Sequence, residues 1–414
     1  MLYSQKPAAC GSVADKCMYQ SLLLKLRQDQ HNGYPGSLGP VKAFQGVSFF
    51  DQFASLSPGV RGVLEGPAWL RGYGDYYVAG DFHGDLMVGL AVLHLAGLID
   101  DQANWIPPVS DTHPRRCFVQ LGDMVDRGGR GDISVDTSHM PREELNLLEY
   151  MYEIDLQARK HGERVISVSG NHELYAVRTA FDDKLASRWN FTSKATACPF
   201  PSESISRKDV FRRPGALRYF AFIRPPLALS SSNWLFCHGD VPIGPLRKFL
   251  VTHKVMIGRL RARTRVPYAA CVVGATNLLW ANYLLLLGGD RYMFERIKAA
   301  IPAEDNANSL SEFPLAVCTC RTLVQMNGVN KPCDCTGQVD AIADELGLDW
   351  TVSGGVALGH TVQTAISTRC MGRVQLLDLG MSEAFRKYNP NHKIGILHIQ
   401  CQQHLISHMK STPK

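Results

Sequence analysis

The chain has no dense cysteine framework. It carries 12 cysteines in 414 residues, but they are scattered, without the spacing of a small disulfide-stapled domain. A reducing compartment, the cytoplasm, is therefore the expectation. Residues 1–17 (MLYSQKPAACGSVADKC) lack an apolar core flanked by basic residues, so no secretory leader is expected. Without one, the sequon Asn190-Phe191-Thr192 carries no weight. A long internal repeat and a low-complexity tract are both missing. Strong net charge is missing too: 44 basic and 38 acidic residues leave +6. That balance suits an anionic substrate and is too weak to argue for nucleic acid. What is there is ordinary globular material, 45% apolar and 20% charged, enough for one large domain or two average ones.

One stretch has no charge at all. Val266 to Gly289 follows the basic run RLRARTR and ends in NLLWANYLLLLGG. Its length and basic flank suit a membrane span. Pro267, Asn277, Asn282 and three glycines speak against one. So does topology, because a span here would put His238 and His360 on opposite sides of a bilayer. A buried helix is expected. The basic run at 259–265 reads as a solvated helix face, or as a docking surface for an acidic partner.

Residues 1–70 are expected to form an N-terminal extension, with a short amphipathic helix at 19–28 and a turn-rich linker at 33–40. The pattern changes at about residue 71. Short β-rich runs end in polar, glycine-containing loops, and helical periodicity usually follows. YYVAG leads into Asp81 and His83. CFVQL leads into Asp123, Asp126 and Arg127. RVISVS leads into Asn171 and His172, NWLFC into His238, and GGVAL into His360. A helix is expected at 141–160, with Glu143 and Glu144 where the helix dipole favours acids. Closing strands are expected at 373–382 and 394–400. A domain over 71–400 and a tail over 401–414 complete the division.

Five strand ends that finish in an acid, an amide or an imidazole are expected to converge on one edge of a layered α/β fold. Asp81, His83, Asp123, Asn171, His238 and His360 are hard-to-borderline donors that suit Mn, Fe or Zn. Six such ligands, one carboxylate bridging, hold two divalent ions about 3.5–4 Å apart, lower the pKa of bound water and clamp phosphoryl oxygens. Arg127 can grip phosphate bidentately. His172 can protonate a leaving oxygen, with Asp126 as the carboxylate that orients it. Cys318, Cys320, Cys333 and Cys335 suit a closed structural zinc site, or else free thiols or a redox pair.

The motifs GDFHG, GDMVDRG, GNHE, HGD and GHT, in this order, resemble those of the calcineurin-like metallophosphoesterases. GDMVDRG and GNHE together narrow the resemblance to the PPP-type phosphatases. GHTVQTAISTRCMGRVQLLDLGMS resembles their bacterial-like branch, the Shewanella-like protein phosphatases. The resemblance spans roughly residues 71–385 and implies an α/β (α+β) fold, a four-layer α/β/β/α sandwich with two metal ions at strand carboxyl ends. It implies Asp81, His83, Asp123 and His360 at one metal, Asn171 and His238 with Asp123 at the other, and Asp123 as the bridge. It also implies His172 as proton donor paired with Asp126, Arg127 on phosphate, and a second phosphate-binding arginine between His238 and His360. Arg321 is the candidate, ahead of Arg369.

Two departures stand out. Asp240 occupies the last place of a His-Gly-Gly motif, where its charge is expected to repel phosphate or tune substrate choice. GDFHGDLMVGL lacks the acid that eukaryotic members often carry in the following helix. The expected function is hydrolysis of phosphomonoesters by in-line attack of a metal-bridging hydroxide, on phosphoserine or phosphothreonine in proteins or peptides, with phosphotyrosine close behind. The alternatives are a dinucleotide polyphosphate hydrolase and, from another class, an inactive scaffold, against which the intact ligand set argues.

Overall fold

In the computed structural model the described residues are 68–110, 112–126, 143–180, 224–264, 266–287, 313–325, 335–351, 353–382, 385, 391, 393–400 and 406–410. Their strands form two five-stranded sheets. In the first, β1 (Asp75–Ala79), β2 (Arg116–Gln120) and β3 (Arg164–Ser167) run parallel. In the second, β4 (Leu227–Leu229) is an antiparallel edge beside β5 (Trp234–Cys237), which runs parallel to β6 (Gly355–Leu358). β7 (Ser367–Arg369) pairs antiparallel with β8 (Val374–Leu376), which is parallel to β6. The first sheet is completed by β9 (Gly395–Gln400), antiparallel to β1, and by β10 (Ile406–Lys410) outside it. β10 falls within 401–414, the expected tail, so part of that segment is sheet.

Alternation along the strands explains the layers, because successive side chains point to opposite faces. Tyr76 and Val78, Cys117 and Val119, Ile166, Ala228, Phe236, Ala357, Leu397 and Ile399 form one buried cluster between the sheets. The intervening residues, among them Ala79, Phe118, Val165, Leu235, Val356, Leu358 and Ile396, join a second cluster with the helices. The result is helix, sheet, sheet, helix, the expected four-layer sandwich. Tyr76 and Phe236 meet across the inner layer with ring centroids 5.9 Å apart. Burying such a side chain fully is worth roughly 1.5–3 kcal/mol.

The helices follow from local signals. α1 (Leu86–Leu95) is capped by Asp85, whose carboxylate accepts the Val88 N–H at 3.2 Å. α2 (Glu143–Arg159) falls where a helix was expected, and α3 (Asn171–Ala180) starts at the GNHE motif. After β5 come α4 (Ile243–Thr252), α5 (Lys254–Thr264) and α6 (Tyr268–Leu287). α6 is the uncharged run. Ala269, Ala270, Val272, Val273, Ala275 and Trp280 are buried, and Asn277 bonds the Leu227 backbone on edge strand β4 through both its amide nitrogen (3.0 Å) and its oxygen (3.4 Å). Among the described residues, no helix is long and apolar enough to cross a membrane. Two single-turn helices, α7 (Phe313–Ala316) and α8 (Thr322–Gln325), precede α9 (Thr336–Leu346).

The cysteines correct the zinc expectation. Cys335 forms a disulfide with Cys370, their Cα atoms 5.3 Å apart, a separation that suits the bond. It is therefore not a thiolate ligand beside Cys318 and Cys320, which are buried and outside that disulfide. Cys333, the helix at 19–28, the linker at 33–40 and Arg127 lie outside the described residues.

Candidate metal centre

All five expected loops leave the carboxyl ends of strands at one edge of the two sheets. β1 delivers Asp81 and His83, β2 delivers Asp123 and Asp126, and β3 runs into Asn171 and His172 at the start of α3. β5 delivers His238 and Asp240, and β6 delivers His360. The sheets thus contribute from both sides, and Asp123 sits between them. Its Oδ2 lies 3.1 Å from His238 Nε2, 3.6 Å from His172 Nε2 and 3.9 Å from His83 Nε2. Asn171 Oδ1 is 2.8 Å from His238 Nε2. Asp81 lies 3.8 Å from His83 and 3.6 Å from His238, and its carboxylate accepts the His360 N–H at 3.3 Å.

Two groups of donors converge closely enough to hold an ion: His83, Asp123 and His172, and Asp123, His238 and His360. Asp123 belongs to both. His360 falls with His238, whereas the resemblance put it with Asp81 and His83. The second nitrogen of His238 lies 2.7 Å from the Leu121 carbonyl. A proton on Nδ1 directed there would leave Nε2 to face a metal ion, the way ligating histidines are usually oriented.

The backbone is bent to achieve this. His83, Asp123, Asp126 and His360 all have positive φ, from 43° to 75°. Each costs on the order of 1–3 kcal/mol unless the surroundings hold it. At Asp123 the surroundings do so through a residue outside the donor set. Glu173, the last letter of GNHE, is buried and accepts N–H bonds from Asp123 (3.0 Å), Met124 (2.8 Å), Val125 (3.2 Å) and Gly170 (2.7 Å). Arg224, also buried, balances its charge at 2.8 Å. Gly170 is needed for close approach, since a Cβ there would stand 2.2 Å from Asp123 Oδ1.

Electrostatics divide the cluster. Burial alone would raise the Asp123 carboxyl, but His172, His238 and His83 hold it well below the usual carboxylate range. Asp81 is pushed well up by burial and by the neighbouring Asp378 and Asp123 carboxylates. Asp378, inside the strand-like run LLDLG, was not foreseen as a neighbour. Burial and the facing imidazoles depress His83 to about 3 and His360 well below its ordinary value. Both rings are therefore neutral at physiological pH, the form that binds metal. His83 Nδ1 is buried with no hydrogen-bond partner among the described residues. Buried carboxylates beside neutral imidazoles fit divalent Mn, Fe or Zn.

Beside the cluster, His172 Nδ1 lies 2.9 Å from Asp126 Oδ2, the expected pairing. Arg321 is half-buried, and its charge is among the influences that depress His360. Arg369 donates instead to the Val324 carbonyl at 2.8 Å. Asp240 differs from expectation. It is buried, and its oxygens accept the Leu323 N–H (2.6 Å) and the Thr322 hydroxyl (3.2 Å). Burial pushes its pKa up to about 6 against these bonds. The carboxylate is engaged with the start of α8, and so does not stand as an open charge against phosphate.

A family model described as calcineurin-like phosphoesterase matches residues 75–282. Shewanella-like protein phosphatase 2 of Arabidopsis thaliana is 31% identical over 102 residues, 25% of this chain and 21% of that protein. Shewanella-like protein phosphatase 1 of Plasmodium berghei is 25% identical over 194 residues, 47% of this chain and 44% of that protein. The chain thus spans less than half the length of these relatives. The crystal structure of a cold-active protein-tyrosine phosphatase from a psychrophilic Shewanella species superposes with a TM-score of 0.51 at 16% identity, over 86% of this chain and 85% of that one. This is a likeness of fold.

Proposed function

The chain belongs to the calcineurin-like phosphoesterase family, and on that premise we propose that it is a metal-dependent phosphatase of phosphorylated proteins, with phosphoserine and phosphothreonine as the leading substrates. The observation that carries the reading is the meeting of Asp81, His83, Asp123, Asn171, His238 and His360 around one buried carboxylate, Asp123. These residues would hold two divalent ions. Such a pair supplies Lewis acidity toward the phosphoryl oxygens and a water-derived nucleophile near neutral pH.

The chain's own side chains do the rest. Asp126 fixes the His172 ring through Nδ1, so Nε2 is the nitrogen that gives a proton to the leaving alkoxide. Arg321, and Arg127 from the loop after Asp123, carry the charge of the phosphoryl oxygens. The left-handed backbone at His83, Asp123, Asp126 and His360 keeps the cluster in shape before substrate arrives, so little reorganisation is left for the reaction.

The test is a set of initial rates for the Mn-loaded protein on a phosphoserine/phosphothreonine peptide, a phosphotyrosine peptide and diadenosine tetraphosphate, with metal content measured in the same sample. Preference for the first is expected. Preference for the phosphotyrosine peptide would change the substrate class within the same chemistry. Preference for the dinucleotide, or no turnover with metal verified, would overturn the reading.

A further inference from the structure

We infer that Asp240 is a positioning residue that holds Arg321 at the metal centre, setting how tightly a phosphoryl group is gripped. This rests on the phosphatase reading, because it gives Arg321 a phosphate to bind.

Asp240 stands two residues beyond His238, on the loop that leaves β5, and it is 0% exposed. A buried carboxylate is costly unless it is hydrogen-bonded, and this one spends its bonds on a single short segment. It accepts from Leu323 N–H and Thr322 Oγ1, while its own N–H donates to the Cys320 carbonyl at 3.0 Å. The residues on both sides of Arg321 are thereby tied to one residue, Cys320 through the Asp240 backbone N–H and Thr322 and Leu323 through its side chain. Gly239 adds to the grip: its N–H donates to the Val317 carbonyl at 2.8 Å, and a Cβ at Gly239 would stand 2.9 Å from the Cys320 carbonyl oxygen and the Thr319 nitrogen. The loop and the 317–323 segment are thus in backbone contact.

The same segment reaches the centre by a second route. The Thr319 carbonyl lies 3.1 Å from His360 Nε2. At its far end, Arg369 bonds the Val324 carbonyl. α8 has four residues, too few to fix the segment's conformation without outside support. Asp240 supplies that support from the loop that also carries His238. A guanidinium placed in advance loses less freedom on binding, and displacement of such a group by about 1 Å can cost on the order of a hundredfold. Replacing Asp240 therefore acts on phosphate through Arg321, not on the ions through His238.

The probe is inorganic phosphate titrated calorimetrically into the Mn-loaded protein, with phosphopeptide KM and kcat alongside. Arg321→Ala and Asp240→Ala are each expected to weaken phosphate about tenfold, the equivalent of about 1.4 kcal/mol, and to raise KM more than they lower kcat. Metal content should stay at the wild-type value in both. The double variant should be no weaker than Arg321→Ala alone, since one residue acts through the other. Asp240→Asn keeps an acceptor for the Leu323 N–H and should recover most of the affinity. If Asp240→Ala does not fold, Thr322→Val, which removes one donor to the carboxylate, is the substitute in the same cycle. Additive losses in the double variant, or loss of metal in Asp240→Ala, would overturn the inference. Absence of turnover in a wild-type protein that still binds phosphate would count against the phosphatase reading alone. Absence of phosphate binding in the wild type would overturn both.

Discussion

Two glutamates are buried to the same depth and each faces an arginine, yet they serve different ends of the sheet. Glu163, just before β3, accepts Arg116 Nε and Nη2 at 2.7 Å each, the Arg116 N–H at 3.1 Å and Trp105 Nε1 at 2.6 Å. Its partners are mostly side chains. Glu173, just beyond β3, accepts four backbone N–H groups from two loops, and Arg224 closes the set. The reason lies in what each end of a strand leaves unpaired. Where strands begin, the ladder uses the backbone and a carboxylate meets side chains. Where they finish, the chain turns through positive φ, its amides leave the ladder, and a carboxylate collects them. The same ion pair acts as a plug at one end and as a template for the candidate metal centre at the other.

The contrast can be broken experimentally. Glu173→Leu should have the largest effect. It strands Arg224 in the interior, at a cost of about 3–5 kcal/mol, and releases the loops, so metal content and turnover should fall by at least about tenfold to a hundredfold. The paired change Glu173→Met with Arg224→Met should recover stability, as apolar replacements of buried ion pairs often do, but not activity. Recovered activity would mean that charge, and not loop shape, was what Glu173 provided. Glu163→Leu should cost a similar few kcal/mol in urea unfolding, on the order of 3–5, with kcat/KM of the folded protein unchanged. A fall in kcat/KM would erase the distinction between the two ends.

A pH series sharpens the contrast with a smaller effect. In the metal-stripped protein, burial and His172 depress His83 to about 3. A histidine whose folded value lies below its unfolded one, about 6.5, contributes stability that is full above pH 6.5. That stability drains as pH falls through 6.5 toward 3. The urea midpoint should therefore fall between pH 7 and 4, and His83→Asn should flatten the slope while Glu163→Leu leaves it. Smallest of all, Trp105→Phe removes the indole donor to Glu163 and should cost about 1–3 kcal/mol in unfolding with no change in activity.

Sequence patterning carried the layers and the cluster of candidate donors because both are local. Alternation in YYVAG and CFVQL marks strands, and an acid or imidazole after a strand marks an edge. The brace around the centre is not local. Arg224 lies 51 residues beyond Glu173 in a stretch without a motif, and Glu173 was legible only as a letter of GNHE. Asp378 hides inside a strand-like run. Asp240 was seen as an odd charge, but its partners, Thr322 and Leu323, sit more than 80 residues away. The Cys335–Cys370 bond spans 35 positions, and no Cys-x-Cys spacing in the chain points to it. The grouping of His360 with His238 depends on how β5 and β6 pair side by side, which no spacing in the chain records.

The order of strands in the first sheet has a consequence for synthesis. β1 ends at Ala79, but its antiparallel neighbour begins at Gly395. At about 5–20 residues per second, a nascent chain carries β1 with one edge open for roughly 15 to 65 s. An unpaired edge is a template for wrong pairing. The hydroxyl of Tyr76, bonded to the Leu70 carbonyl at 2.7 Å, ties the front of β1 to a contact only six residues away. That local tie is available long before β9 emerges, and the candidate ligands that follow β1, Asp81 and His83, wait on β9 for the completed sheet.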